Sequence, residues 1–251
     1  MWTRKELKNR AKDVLRKSYW KAFVVSLVLV FIGGNLGSRS GGASSFSGSR
    51  DGIQNFGGDI GYSALPVIIF IMIIVGLFAL TIAMGIRIFL GYPLEVGGKK
   101  YFVKSAQDDI NMNNLGFAFE KGIYFDVIKS MLWKGILNFL WYLLLLIPGI
   151  IKAYSYSMVP YILGDNPNIG YKRALDLSKK MTRGHKFDMF VLDLSFLGWY
   201  ILGLIALGIG VLFVMPYVYA TKGELYIVLR KYTLANNLST HEELRLKKPL
   251  D

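Results

Sequence analysis

The sequence predicts an all-α membrane protein: about six transmembrane helices in three hairpins, interfacial amphipathic helices between them, and both termini cytoplasmic. Three observations predict it. Hydrophobic residues fill 53% of the 251 positions and the mean hydropathy is +0.38, above the roughly 45–50% apolar share of soluble domains. Charged residues are only 19% of a chain whose net charge is +13. They cluster between apolar runs, which is the segregation that the cost of charge in hydrocarbon imposes. Lys and Arg also divide unevenly between successive connecting segments, as the positive-inside rule requires.

The same observations exclude other classes. A basic chain often binds nucleic acid, but these Lys and Arg residues sit at the ends of apolar runs and form no basic domain, so no nucleic-acid partner is expected. There are no cysteines, which removes disulfides, thiolate metal sites and cysteine nucleophiles. Two histidines, His185 and His241, are a poor basis for a metal site or a serine triad. No catalytic residue, metal or cofactor is expected, and the chain is not read as an enzyme.

The chain reads as one integral membrane domain, 1–251. Residues 1–19 are a basic amphipathic helix. The stretch MWTRKELKNRAKDVLRKSYWK carries eight Lys and Arg, with Leu7, Ala11, Val14, Leu15 and Tyr19 at helical spacing. Its apolar face is expected to lie on the membrane, with the basic residues over anionic headgroups. The first hairpin is 20–90. Its first span runs from Trp20 to Leu36, with Tyr19 and Trp20 at the interface, and is expected to be retained, not cleaved as a signal. A Gly/Ser-rich outer loop, 38–63, is too polar to offset its own ordering entropy. The second span, Ala64–Leu90, is about 40 Å long at 1.5 Å per residue and must tilt in a hydrocarbon core of about 30 Å. Residues 91–130 read as a polar cytoplasmic or interfacial segment, with a short amphipathic stretch from Leu115 onward.

The second hairpin, 131–164, raises a choice. One overlong kinked helix, or a reversal at Pro148-Gly149, fits the apolar run from Ile136 to Leu163. A reversal puts twenty-five Lys and Arg inside and only Arg39, Arg50 and Lys152 outside, so the positive-inside rule favours it. Proline lacks a donor and glycine tolerates positive φ, which suits a turn. Residues 165–186 follow as a basic amphipathic cytoplasmic helix, with Asn168 as a candidate cap. The third hairpin, 187–230, repeats the device: WYLLLLIPGII (from Trp141) resembles WYILGLIALGIG (from Trp199), and MVPY (from Met158) resembles MPY (from Met215). Its turn is expected at Gly208 and Gly210. A polar tail, 231–251, ends the chain.

Three groups of residues are candidates for function. Counting residues inward from the cytoplasmic ends of the spans brings Arg87, Asp193, Lys222 and Glu224 to comparable depth. An ionisable residue at that depth pairs or faces a wet cavity, so the cluster is either a substrate or proton site or an ion-pair staple between helices. Lys172, Arg173, Lys179, Lys180 and Arg183 form a basic face for anionic lipid or a protein partner, or simply a linker obeying positive-inside. Tyr154, Tyr156, Tyr161, Tyr217, Tyr219 and Tyr226 either edge a polar groove or pack between helices, and Gly198, Gly203, Gly208 and Gly210 permit close helix contact.

The segment from Ile147 to Tyr226, with its Asp-Asn-Pro, Ala-Leu-x-x-Ser, LDLSFLGW and PY elements, resembles the bacterial integral membrane family known as domain of unknown function 975. RKELKNRAKDVLRKSYWKAF resembles that family's start, whereas the Gly/Ser-rich loop is not part of its pattern. The hairpin-plus-amphipathic-helix plan is more distantly similar to the membrane domain of bacterial glycerophosphodiester phosphodiesterases. The resemblance implies a multi-pass protein of a bacterial plasma membrane and brings no activity with it. Three functions remain open. The first is a non-enzymatic accessory subunit with a protein partner or a second copy, serving envelope maintenance, export or peptide resistance. The second is a small-molecule or lipid transporter using the polar cluster. The third is a membrane-embedded lipid enzyme using Asp108-Asp109 or the Leu-Gly-Asp-Asn-Pro carboxylate.

Overall fold

A computed structural model describes residues 2–31, 65–205 and 210–246, and every regular element among them is helical. The predicted outer loop, the end of the first span and Gly208 lie outside the described residues.

Helix α1 (Arg4–Phe31) bends at Ser18, whose φ/ψ of −152°/36° leave the helical region. Leu7, Ala11 and Leu15 are buried, because α1 packs along α10 (Gly210–Ala235). The Tyr19 hydroxyl donates to the Phe213 carbonyl at 3.1 Å. The apolar stripe expected to rest on the membrane is thus covered by protein. A 3.6-residue period marks an apolar face but does not say whether lipid or a neighbouring helix covers it.

Helix α2 (Leu65–Ile86) continues through a π-helical turn, Arg87–Gly91, into α3 (Tyr92–Ser105). Pro93 explains the turn. It offers no N–H to the carbonyl four residues back and its ring crowds that carbonyl. The Phe89 carbonyl instead accepts from the Tyr124 hydroxyl at 2.8 Å. α2 is apolar on every side and exposed along its length: Phe70 is 63% and Phe78 67% accessible. α3 is the opposite. Val96, Tyr101, Phe102 and Val103 are all but inaccessible, so the stretch expected to be a polar connecting segment supplies a central core helix. From Leu115 onward the chain forms two 3-10 turns, Met112–Leu115 and Phe117–Phe119, and the next helix waits until Tyr124.

Helices α4 (Tyr124–Leu144) and α5 (Leu146–Ser155) form a hairpin. The reversal is at Leu145, extended at φ/ψ −161°/142°, and not at Pro148-Gly149. Pro148 falls in the first turn of α5, where its missing donor costs nothing. Gly149 is where the arms touch: a Cβ there would lie 2.6 Å from Tyr142 Cδ1 and 3.0 Å from its Cα. The returning arm is not one helix. It breaks at Tyr156–Met158 before α6 (Val159–Asp165), which has Pro160 in its first turn. Pro216, its counterpart in the loose repeat, lies inside the unbroken α10.

Helix α7 (Tyr171–Met181) starts after Gly170, whose φ of 82° favours glycine. Asn168 does not cap it; its amide donates to Asp126 and to the Gly122 carbonyl. Helices α8 (Lys186–Leu194) and α9 (Leu197–Ile205) then lead to α10. Gly203 is the contact between the arms, with Val211 N only 2.7 Å from where a Cβ would sit, and Gly210 opens α10.

The core is built from α3, α6, α7 and α10, with α1 against it; Ile162, Leu163, Leu177, Tyr226 and Leu229 are fully buried there. Apolar tips project from it: all of α2, the α4–α5 turn (Leu143 75% exposed, Ile147 72%) and α8–α9 (Ile205 75%). Two stretches, Pro66–Ser105 and Lys186–Ile205, are long and apolar enough to cross a membrane.

Candidate functional site: a cationic cavity between the helices

A cavity of about 590 Å³ opens between α3, α4, α5, α8 and α10. Each side of it is placed by a feature of the fold. The π-helical turn sets the phase between Arg87 and the residues of α3. Glu95 and Lys99 lie one turn apart on the same face of α3. Lys134 comes from α4, Asp193 from α8 and Lys222 from α10. Four cations therefore face two carboxylates.

Pairing uses up only part of that charge. Lys222 Nζ lies 2.9 Å from Asp193 Oδ1, and the Tyr154 hydroxyl donates to Asp193 Oδ2 at 3.0 Å. Glu95 is shared at longer range, 3.9 Å from Arg87 Nη2 and 3.7 Å from Lys134 Nζ. Lys99 is 9% exposed and has no carboxylate within ion-pair distance among the described residues. Its ammonium sits over the Tyr219 ring at 4.3 Å and near that of Tyr161 at 5.4 Å, close enough for a cation–π contact. Three buried polar atoms in the wall have no hydrogen-bond partner among the described residues: Arg87 Nη1, Tyr161 Oη and Asn138 Oδ1.

Of the cluster named from sequence, Arg87, Asp193 and Lys222 line this cavity and Glu224 does not. Glu224 is buried on the far side of α10, in a groove with Arg10, Lys17 and Lys231. Equal depth does not place Glu224 beside Lys222, because residues two apart on a helix face opposite ways. Sequence reasoning missed Glu95, Lys99 and Lys134. A Glu-Lys pair at i, i+4 was the signal available for the first two. Of the six tyrosines, Tyr154, Tyr161 and Tyr219 line the cavity. Tyr226 turns to Asp165, and Tyr161 stacks on Tyr226 with ring centres 5.2 Å apart.

The other acidic candidates are engaged elsewhere. Asp165 Oδ2 accepts from the Tyr226 hydroxyl at 2.7 Å and from Arg230 Nη1 at 2.8 Å. Asp108 pairs with Lys17. Among the described residues no group of three His, Asp or Glu could hold a metal ion.

The basic face of α7 is divided. Lys172, Lys179, Lys180 and Arg183 are exposed, with Lys180 held to Asp176 at 2.9 Å. Arg173 turns inward to the segment after α10: Nε and Nη2 meet the two Glu243 oxygens at 2.5 and 2.9 Å, and Nη2 also donates to the Leu238 carbonyl. The Ser239 hydroxyl donates to Glu243 as well, and Leu244 is buried in the main core. The Arg173 hydrogen bonds draw the Glu243 carboxyl from 4.5 down to about 2. A lowered carboxyl pKa adds stability above its unfolded value and loses it as pH falls towards the folded one. Residues 236–246 are therefore expected to stay protected from hydrogen exchange at pH 7 and 5 and to lose protection between about pH 4.5 and 2. Glu243→Gln should lose it already at pH 7; protection of that variant equal to wild type would show that the carboxylate does not hold the segment.

No curated protein and no solved structure matches the chain, and the likeness to the phosphodiesterase membrane domain remains a resemblance. Residues 129–233 match the family model described as "Protein of unknown function (DUF975)", a span that supplies Lys134, Asp193 and Lys222 to the cavity while Arg87, Glu95 and Lys99 precede it. Over residues 129–233, then, the chain is similar to the family of proteins of unknown function DUF975.

Proposed function

We propose that the chain is a multi-pass protein of a bacterial plasma membrane whose cavity binds an anionic ligand, so that it acts in binding or transport and not in catalysis. In this reading six spans form three hairpins and both termini are cytoplasmic. Exposed apolar tips on α2, α4–α5 and α8–α9 support membrane insertion, because an apolar surface of that extent marks a site of association. The distribution of Lys and Arg supports the orientation.

One observation carries the ligand reading: Lys99 is buried with no carboxylate within ion-pair distance among the described residues, in a cavity where Lys and Arg side chains outnumber carboxylates. An ion-pair staple accounts for Lys222 and Asp193. It does not account for Lys99, since an uncompensated buried charge is costly. A bound anion supplies what is missing. Native mass spectrometry of protein released from its own membranes is expected to show an anionic adduct, and an unliganded protein that also ignores added anions would sink the reading.

Topology is testable because the chain has no cysteine. A single cysteine replacing Leu145 should react with an impermeant thiol reagent from outside, and one replacing Arg183 only after permeabilisation. Outside labelling at Arg183 would end the six-span arrangement. The accessory-subunit reading draws on α2, whose exposed faces offer a surface to a protein partner or a second copy. Crosslinks from α2 to another polypeptide would favour it.

A further inference from the structure

We propose that the ligand is a phosphate monoester carried on an apolar tail, entering the cavity from the side through the apolar surface. This rests on the anion-binding reading and narrows it to one chemical class.

The charge of the cavity sets the headgroup. After Lys222 is matched with Asp193, and one carboxylate, Glu95, is left to Arg87 and Lys134 together, two Lys or Arg charges remain without a carboxylate partner among the described residues. A phosphate monoester carries about −1.5 to −2 at pH 7, whereas a diester carries one negative charge. The monoester is the closer match. It also has three strong acceptor oxygens, and the cavity offers donors to meet them: the Lys99 ammonium, Arg87 Nη1 and the Tyr161 hydroxyl. The last two have no partner among the described residues. Charge-assisted bonds from Arg and Lys to phosphate are of the strong kind. About 590 Å³ is within the range of small-ligand sites, ample for a phosphate and the first carbons of its ester.

The mouth of the cavity sets the tail. Tyr142 and Ile150 line the cavity and are also exposed, at 43% and 39%. They belong to the α4–α5 tip, where their neighbours Phe139, Leu143 and Ile147 are 67%, 75% and 72% exposed. The opening thus faces an apolar surface, and a ligand whose headgroup sits by Lys99 has a hydrocarbon-compatible path for a chain leaving past Tyr142.

The test uses the full chain in detergent micelles, titrated with dioctanoyl phosphatidic acid, dioctanoyl phosphatidylglycerol, glycerol 3-phosphate and inorganic phosphate, with adducts read by native mass spectrometry. The phosphatidic acid is expected to bind at least about tenfold more tightly than the phosphatidylglycerol, a gap of about 1.4 kcal/mol. Lowering the pH from 7.5 to 5.5 crosses the second ionisation of a monoester, near 6. It should narrow that gap, with the diester as internal control for changes in the protein. Lys99→Gln should abolish the preference and Lys99→Arg retain it. The pH series serves on wild-type protein if the Gln variant does not fold. Equal binding of the two lipids, or a gap indifferent to pH, overturns the monoester assignment while leaving anion binding intact. Glycerol 3-phosphate binding as tightly as phosphatidic acid overturns entry with a tail. If no anion binds, the underlying reading falls as well.

Discussion

Arg230→Met is expected to be the most damaging single substitution in the core, costing about 3–5 kcal/mol in unfolding followed in mild detergent. Arg230 and Asp165 are 7% and 8% exposed at the side chain and 2.8 Å apart. The same Asp165 oxygen also receives the hydroxyl of Tyr226, which is inaccessible to solvent. Removing the guanidinium leaves a carboxylate walled in by α6 and α10 with one neutral donor. The cost is that of the stranded charge and not of the lost attraction. The double variant Asp165→Asn with Arg230→Met should therefore recover most of the loss. If the double is as unstable as the single, packing around the methylene stem, not charge, explains the effect.

The second large effect separates two adjacent glycines. At Gly97 a Cβ would lie 1.9 Å from the Leu115 carbonyl oxygen and 2.7 Å from its carbon, both backbone. At Gly98 the nearest atoms, at 2.6 to 2.8 Å, are the tip of the Leu29 side chain. Alanine gains about 1 kcal/mol of helix propensity over glycine at either position. At Gly97 that gain is outweighed, because the 3-10 turn must be pushed off α3, with overpacking costs of about 1–3 kcal/mol or more. At Gly98 a leucine rotamer change relieves the contact. Thermal unfolding should place Gly97→Ala well below wild type and Gly98→Ala close to it. Equal shifts would mean that the turn yields as easily as the side chain does.

Much of this arrangement was legible before any coordinates. The apolar runs predicted helices, and counting depth from the basic ends grouped Asp193 and Lys222 with Arg87 and Glu224, of which the first two are in ion-pair contact. What was lost has physical causes. Depth fixes position along a helix but not around it, which is why Glu224 was grouped with residues it faces away from. Charge marked 91–130 as a connecting segment, yet Lys99 and Glu95 are charged because they line a cavity, and the residues between and beyond them, Val96 and Tyr101 to Val103, are core. Pro148-Gly149 looked like a turn because both residues suit turns. Each is equally suited to its actual place, proline in the first turn of a helix and glycine at a close crossing.

The unbroken run from α2 into α3 has a mechanical meaning. A rod about 60 Å long joins a fully exposed apolar tip to the helix that carries Glu95 and Lys99, and its one irregular joint is the π-helical turn at Arg87. Torque applied to the tip arrives at the cavity as a rotation of α3 unless the joint absorbs it. Arg87 stands at that joint and in the cavity wall at once, so a change in the pitch of the turn there would alter the charge lining the cavity and the angle of the tip in a single movement.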